Sequence, residues 1–279
     1  MEDSKKAIEA SMDTVAGRLR QAGCVFAEEE ARLLLSASRT PAELDAMIER
    51  RTAGEPLEQI IGWAPFCGLR IEVEPGVFVP RQRSELLVRE AASLAEPGGV
   101  VVDLCCGSGA LGAALAAALG PIELYAVDID PAAVRCARRN IAAAGGRVYQ
   151  GDLYAPLPAE LRGRIRLLVA NVPYVPTEAI RLLPPEARLH EPLAALDGGA
   201  DGLDIQRRVA AEASLWLEPG GHLLVEASER QAPQSARLFA ASGLLPRIVH
   251  CAEREATIVI GRKPIRQEDL MELVPVANK

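Results

Sequence analysis

The sequence predicts an α/β protein: a Rossmann-like, mostly parallel sheet with an antiparallel edge strand, preceded by a small helical unit. Three observations lead there. From Val100 onward, short continuous apolar runs alternate with amphipathic stretches, as strands buried on both faces alternate with covering helices. A glycine-rich turn joins the first of these runs to its helix. Ahead of residue 61 the periodicity is helical alone. The chain has 279 residues, 49% hydrophobic and 25% charged, enough for one large domain or two unequal ones. The expected organisation is a helical unit over 1–60, a hairpin or linker over 61–82, an α/β unit over 83–263 and a polar tail over 264–279.

Taken in order, "AIEASMDTVAGRLRQAG" has apolar residues at helical spacing and stops at Gly23. "AEEEARLLLSAS" places acids in its first turn, where the helix dipole favours them. Thr40-Pro41-Ala42-Glu43 is a capping box with proline at the first helical position, and the helix it opens closes at Gly54. "FCGLRIEVEPGVFVP" alternates apolar and polar residues and breaks at Gly68 and Pro75-Gly76, which predicts a hairpin or extended linker. "SELLVREAASLA" reads as a helix capped by Ser84. The alternation then runs "VVVDL", "ALGAALAAAL", "IELYAVDI", "PAAVRCARRNIAAAG", "RVYQGD" and "IRLLVAN". After a break come "DIQRRVAAEASLWL", "GHLLVEA", "ERQAPQSARLFAASG" and two strands, "LPRIVHC" and "ATIVIGR". That last pair has no helix between its members, which predicts the antiparallel edge.

Bulk properties narrow the function. A formal charge of −7 argues against a nucleic-acid groove, which needs a basic excess. The six cysteines lack paired C-x-x-C spacing, so no metal site is expected and reduced, half-buried thiols are. The opening "MEDSKKAIEA" lacks an apolar export core, and no run approaches the ~18 apolar residues of a membrane span. A cytoplasmic monomer is expected.

"VVVDLCCGSGALG" carries the first chemical signal. Glycines let a ligand approach the backbone, and the helix start behind them presents free N–H groups. Gly107-Ser108-Gly109-Ala110-Leu111-Gly112 matches G-x-G-x-x-G, so a nicotinamide or flavin nucleotide is one reading. Two acids favour another. Asp103, at the strand end, would repel a pyrophosphate but suits a cationic ligand portion. Asp128, 19 residues after Gly109, is placed to accept from ribose hydroxyls. An ammonium-bearing adenosine derivative satisfies both, and S-adenosylmethionine is the expected cofactor. Cys105, Cys106, Gly107, Ser108 and Gly109 would form its loop. Ile129 would stand beside Asp128, and "GDLY" adds Asp152 as a polar contact and Leu153 as an apolar wall for adenine.

The second signal is Asn171-Val172-Pro173-Tyr174, where the apolar run "RLLVA" stops. The Asn171 side-chain oxygen and the Val172 carbonyl are two acceptors side by side, matched to the two hydrogens of a planar –NH₂. Pro173 holds Val172 extended and so directs its carbonyl. Tyr174 offers a flat face to a planar guest. Such a site orients an amide or aromatic amine toward an electrophile, and Asn171 touches cofactor and acceptor alike.

These motifs resemble the HemK-type protein-glutamine methyltransferases. The likeness covers most of the chain: the N-terminal helices, "EPLEQIIGWAPFCGLRIEVEPGVFVPRQRSELLV", "VVDLCCGSGALG", "AVDIDPAAV", "GDLY", "NVPY" and "HEPLAALDGGADGLD". It implies a class I S-adenosylmethionine-dependent methyltransferase domain, with S-adenosylhomocysteine as product. It implies that the substrate is a glutamine side chain in a protein, a peptide-chain release factor being the natural candidate, gripped by the N-terminal helices. Phe78, Pro80 and Arg81 would line the cofactor side, and Asn171 to Tyr174 would bind the glutamine. His190-Glu191-Pro192 and the Gly198-Gly199 turn would shape the wall. The family commonly has proline where this chain has Val172, often has glycine at Cys105, and carries a proline and a threonine in the segment after Pro80-Arg81. The competing readings are a methyltransferase for adenine or a small-molecule amine, a nicotinamide-dependent oxidoreductase, and a cofactor-binding module without activity.

Overall fold

The computed structural model describes residues 2–95 and 97–265, with side chains from residue 12. All but Pro264 and Ile265 of the expected polar tail lies outside the described residues. The N-terminal unit comprises α1 (Glu2–Gln21), α2 (Ala27–Ala37), α3 (Pro41–Thr52) and the short α4 (Leu57–Ile61). Val15, Leu19, Ala31, Leu34, Ile48 and Ile60 pack into a core of their own. At the start of α3 the Thr40 hydroxyl accepts from the Glu43 amide at 3.2 Å. The Glu43 carboxylate reaches back one residue further than a capping box requires, to the Arg39 amide at 2.8 Å.

Residues 61–82 contain the antiparallel pair β1 (Trp63–Phe66) and β2 (Leu69–Glu72). Then α5 (Glu85–Ser93) leads to β3 (Val100–Leu104), α6 (Ala110–Leu119), β4 (Glu123–Asp128), α7 (Pro131–Asn140), β5 (Arg147–Gln150) and β6 (Ile165–Ala170). Two short helices, α8 (Pro185–His190) and α9 (Leu193–Leu196), precede α10 (Asp204–Trp216), β7 (Leu217–Ala227), α11 (Ala232–Ala241), β8 (Leu245–Cys251) and β9 (Ala256–Arg262). Helical periodicity does not announce α8 and α9, since both are short and each follows directly on a proline, Pro184 and Pro192. Ser84 departs from expectation: its side chain makes no capping bond to α5. Asp130 does cap α7, accepting from the Ala132 amide at 2.7 Å.

The main sheet has seven strands in the order β5-β4-β3-β6-β7-β9-β8. Pairings are parallel from β5 to β7, and β9 runs antiparallel to both β7 and β8. Along β6 the side chains alternate between two cores, as the pleat demands. Leu168 and Ala170 face Val209, Ala213 and Trp216 of α10, while Leu167 and Val169 face Leu86, Leu111 and Leu115 of α5 and α6. From Leu167 to Ala170 both faces are dry, so this part of the strand reads as an unbroken apolar run. Among the described residues no helix is long and apolar enough to cross a membrane.

The helical unit is tied to the segment after β6 by Arg51. Its guanidinium pairs with buried Glu30 of α2 at 2.5 Å and with Glu186 of α8 at 2.6 Å.

Candidate active site

A cavity of about 1100 Å³ opens at the C-terminal ends of β3, β4, β6 and β7. The chain runs outward from β3 through β4 to β5 and then returns to its other side with β6, so the cavity sits where the strand order reverses.

One wall is the turn between β3 and α6. Cys105, Gly107 and Gly109 have φ of 54°, 53° and 77°, in the left-handed region. The turn is pinned by main-chain donors: Cys106 N to Val127 O at 3.0 Å, Gly109 N to Cys106 O at 2.7 Å, and Gly107 N to Asp128 Oδ2 at 2.8 Å. A Cβ on Gly109 would meet Ala137 Cβ at 3.0 Å and Cα at 3.1 Å, so this glycine lets α7 pack against the turn. Cys105, Cys106, Gly107, Ser108, Asp128, Ile129, Asp152 and Leu153 line the cavity. Burial pushes the Asp128 carboxyl upward, while the Asp130 and Gly107 amides oppose it. Asp152 stands at the rim, paired with Arg208 at 2.6 Å, and Ile129 is exposed beside it.

Asp103 and Gly109 are off the cavity surface. Asp103 was expected to meet the ligand's cationic portion; instead it is fully buried beneath the turn and accepts from the Gly112 amide at 3.0 Å. Its Oδ1 has no partner among the described residues, and burial pushes the carboxyl up to about 7. The physical reason is the alternation of β3: a residue at that position points into the layer where α6 starts.

The opposite wall brings in Phe78, Pro80 and Arg81. Arg81 lies over the Phe78 ring, 4.9 Å from its centroid, and donates to Glu191 Oε1 at 2.6 Å. Glu191 also accepts from the Val79 amide at 3.3 Å, and its Oε2 is buried without a partner among the described residues. Glu191 and Pro192 line the cavity; His190 does not. Gly198 sits where a Cβ would come within 2.7 Å of Pro173 O, so the Gly198-Gly199 turn backs the tetrad closely.

Asn171, Val172, Pro173 and Tyr174 all line the cavity. The Val172 side chain is buried in the core with Ala170 and Val225 and anchors the turn where the family has a proline ring. Asn171 Nδ2 donates to Ser84 Oγ at 3.4 Å. Neither Asn171 Oδ1 nor the Val172 carbonyl takes a hydrogen bond from another described residue. The Tyr174 hydroxyl donates to Glu226 at 2.9 Å and accepts from Arg83 at 2.7 Å. Burial first, then the Glu226 charge, pushes that phenol upward, against Arg83. Gln231 Nε2 donates to the Tyr174 carbonyl at 3.0 Å.

Arg83, Glu226 and Gln231 were missed as site residues by sequence reasoning. Glu226 had a signal: an acid inside the apolar run "HLLVEA" must be paired once the strand is buried.

The strand order, the glycine turn and the acid ending the second strand of the sheet together define a class I S-adenosylmethionine-dependent methyltransferase. The lining fits that cofactor: an acceptor at Asp128, apolar flanks at Leu153 and Ile129, and room beyond them for an acceptor side chain. Residues 68–182 match the family model described as the methyltransferase small domain. A methyltransferase from Pyrococcus furiosus is similar in fold, with TM-score 0.54 and 18% identity over 71% of this chain and 90% of that one. A release factor glutamine methyltransferase from Geobacter sulfurreducens is 37% identical over 83% of this chain and 88% of its own. A 4-amino-L-phenylalanine/4-methylamino-L-phenylalanine methyltransferase from Streptomyces pristinaespiralis is 34% identical over 84% and 87%. The chain belongs to the family of release factor glutamine methyltransferases, the HemK type.

Proposed function

We propose that this chain methylates the side-chain amide nitrogen of a glutamine in a protein, a peptide-chain release factor being the substrate the family points to. The observation that carries the reading is the pair of acceptors at the end of β6. Asn171 Oδ1 and the Val172 carbonyl belong to cavity residues and take no hydrogen bond from the described residues, so both are available to the two hydrogens of one –NH₂.

S-adenosylmethionine, when bound, supplies a methyl group on a sulfonium. The residues of this chain position the acceptor. An amide nitrogen is a weak nucleophile because its lone pair is shared with the carbonyl. Two acceptors on its hydrogens draw density back onto nitrogen, and alignment lowers the barrier further; orientation of this kind is worth roughly 7–11 kcal/mol at most. As the C–N bond forms, the methyl–sulfur bond breaks and its electron pair stays on sulfur as a neutral thioether; the N–H proton then passes to solvent water in the open cavity, so no strong base is required. Asp128 would hold the nucleoside end, with Leu153 and Ile129 as the apolar residues nearest its base. Phe78, Pro80 and Arg81 would close the far side. Asp103 acts through the turn it supports.

The helical unit over 1–60, joined by the 61–82 segment to the catalytic unit over 83–263, would hold the protein substrate; Val25 and Phe26 are exposed there. The test is incubation with purified release factors and labelled cofactor, then mass spectrometry of glutamine peptides. An unmodified glutamine peptide beside a methylated different target would overturn the substrate.

A second reading rests on the Streptomyces pristinaespiralis relative: an aromatic amine carries the same planar –NH₂. Arg81 and Arg83 on the cavity wall could pair with an amino-acid carboxylate. Turnover of 4-aminophenylalanine, with release factors left unlabelled, would select it. Label appearing in RNA or DNA would point instead to adenine.

A further inference from the structure

We propose that Ser84 and Glu226 are positioning residues that set the Asn171 carboxamide with its oxygen toward the acceptor nitrogen. The proposal rests on the role given to Asn171 above. A carboxamide is nearly symmetric in shape, and half a turn exchanges its acceptor for a donor. A donor in that place would repel the substrate –NH₂, so the group needs something to hold its sense.

Glu226 supplies it. Its side chain is 3% exposed. Oε1 accepts from the Tyr174 hydroxyl at 2.9 Å and from Arg83 Nε at 3.0 Å, and Oε2 accepts from the Ser84 hydroxyl at 2.5 Å. A carboxylate only accepts, so the single proton of Ser84 is committed to it. The Ser84 oxygen is left with lone pairs, and Asn171 Nδ2 approaches them at 3.4 Å. Were the amide reversed, Asn171 Oδ1 would face Ser84 Oγ with no proton between them, and the two oxygens would repel. Ser84 is itself 3% exposed, which keeps bulk water from supplying a substitute. The sense of the donors thus passes from Glu226 through Ser84 to Asn171. This also accounts for Ser84 leaving α5 uncapped, since its hydroxyl is turned toward β7. Arg83 donates to the Tyr174 oxygen at 2.7 Å and so commits the phenol proton to Glu226 as well.

The experiment compares wild type, Ser84→Ala and Ser84→Thr in steady-state transfer to a glutamine substrate and in S-adenosylmethionine binding by calorimetry. The hydrogen exchange of the Asn171 side-chain amide is followed by NMR alongside. Ser84→Ala should lower kcat about tenfold, the scale of one neutral hydrogen bond. KM and cofactor Kd should stay within about twofold, and Asn171 amide exchange should quicken. Ser84→Thr, which keeps the hydroxyl, should restore kcat to within about threefold. Ser84→Gly, which also lacks the hydroxyl, replaces the alanine variant if that one does not fold, with the same loss expected. Wild-type kcat in Ser84→Ala, or a threonine variant as slow as the alanine one, overturns the proposal. The exchange measurement needs no acceptor, so a wild type inactive on every glutamine substrate refutes the proposed function while the amide's anchoring is still decided.

Discussion

The two walls of the cavity are held in different ways. The turn between β3 and α6 is tied by main-chain donors to neighbours in the same sheet layer, and its shape depends on backbone conformations at Cys105, Gly107 and Gly109. The Asn171–Tyr174 turn is held by side chains from distant segments. Ser84 lies 87 residues before Asn171, and Glu226 and Gln231 lie 52 and 57 after Tyr174. A wall made of backbone tolerates most side-chain changes and fails at a few glycines. A wall made of side chains can be retuned or broken one residue at a time. That suits the division of labour proposed above, with the cofactor on the first wall and the acceptor on the second: relatives share the cofactor class, while their names run from release factors to an aminophenylalanine.

The largest test of this contrast is Asn171→Ala. Transfer should fall about a thousandfold, within the range orientation can supply, while cofactor Kd changes less than about threefold. Calorimetry and initial rates would show it, and an equal loss in both would merge the two walls into one. Gly109→Val attacks the other wall. A side chain there needs φ of 77° and a Cβ 3.0 Å from Ala137, so stability should drop about 2–3 kcal/mol in urea titration and cofactor binding should weaken with it. A native-like midpoint would mean the turn is softer than its bonding implies. Gln231→Ala removes donors to the carbonyls of Tyr174 and Asp201, each at 3.0 Å. It should cost about 1–2 kcal/mol and slow transfer several-fold, again with cofactor affinity unchanged.

The smallest expected effect concerns the stability of the fold that carries both walls. His222 in β7 is buried, its Nδ1 has no partner among the described residues, and burial followed by Arg166, Arg262 and Arg247 holds its imidazole down at about 4. The unfolded chain takes up the proton near the ordinary value of 6.5, so acid favours unfolding between 6.5 and about 4 and stability is fully present above that window. From pH 7 to 5.5 the loss should be about 1 kcal/mol. His222→Gln should lack that component, and superimposable pH profiles for the two proteins would dismiss it.

Much of the fold was legible because its signals are local. The alternation from Val100, the cap at Asp130 and the glycine stops at Gly23 and Gly54 each depend on residues within a turn of one another. The candidate site was legible in part. Asp128 and the Asn171–Tyr174 turn are short motifs at strand ends. Asp103 was misplaced because a strand's periodicity says that alternate residues face opposite ways, without saying which side holds the ligand. Ser84 reads as a helix cap because the sequence offers that local partner and conceals the carboxylate in β7.

By itself, then, the sequence determined the order of the strands and of the longer helices, the glycine turn and the place of the tetrad at a strand end, because those rest on backbone propensity and on neighbours along the chain. Which acid supports the turn and which meets the cavity, and that Glu226, Ser84 and Arg83 converge on the acceptor turn, were decided by tertiary structure alone. A buried carboxylate must find its donors wherever the packed sheet brings them, and nothing in linear spacing specifies that meeting.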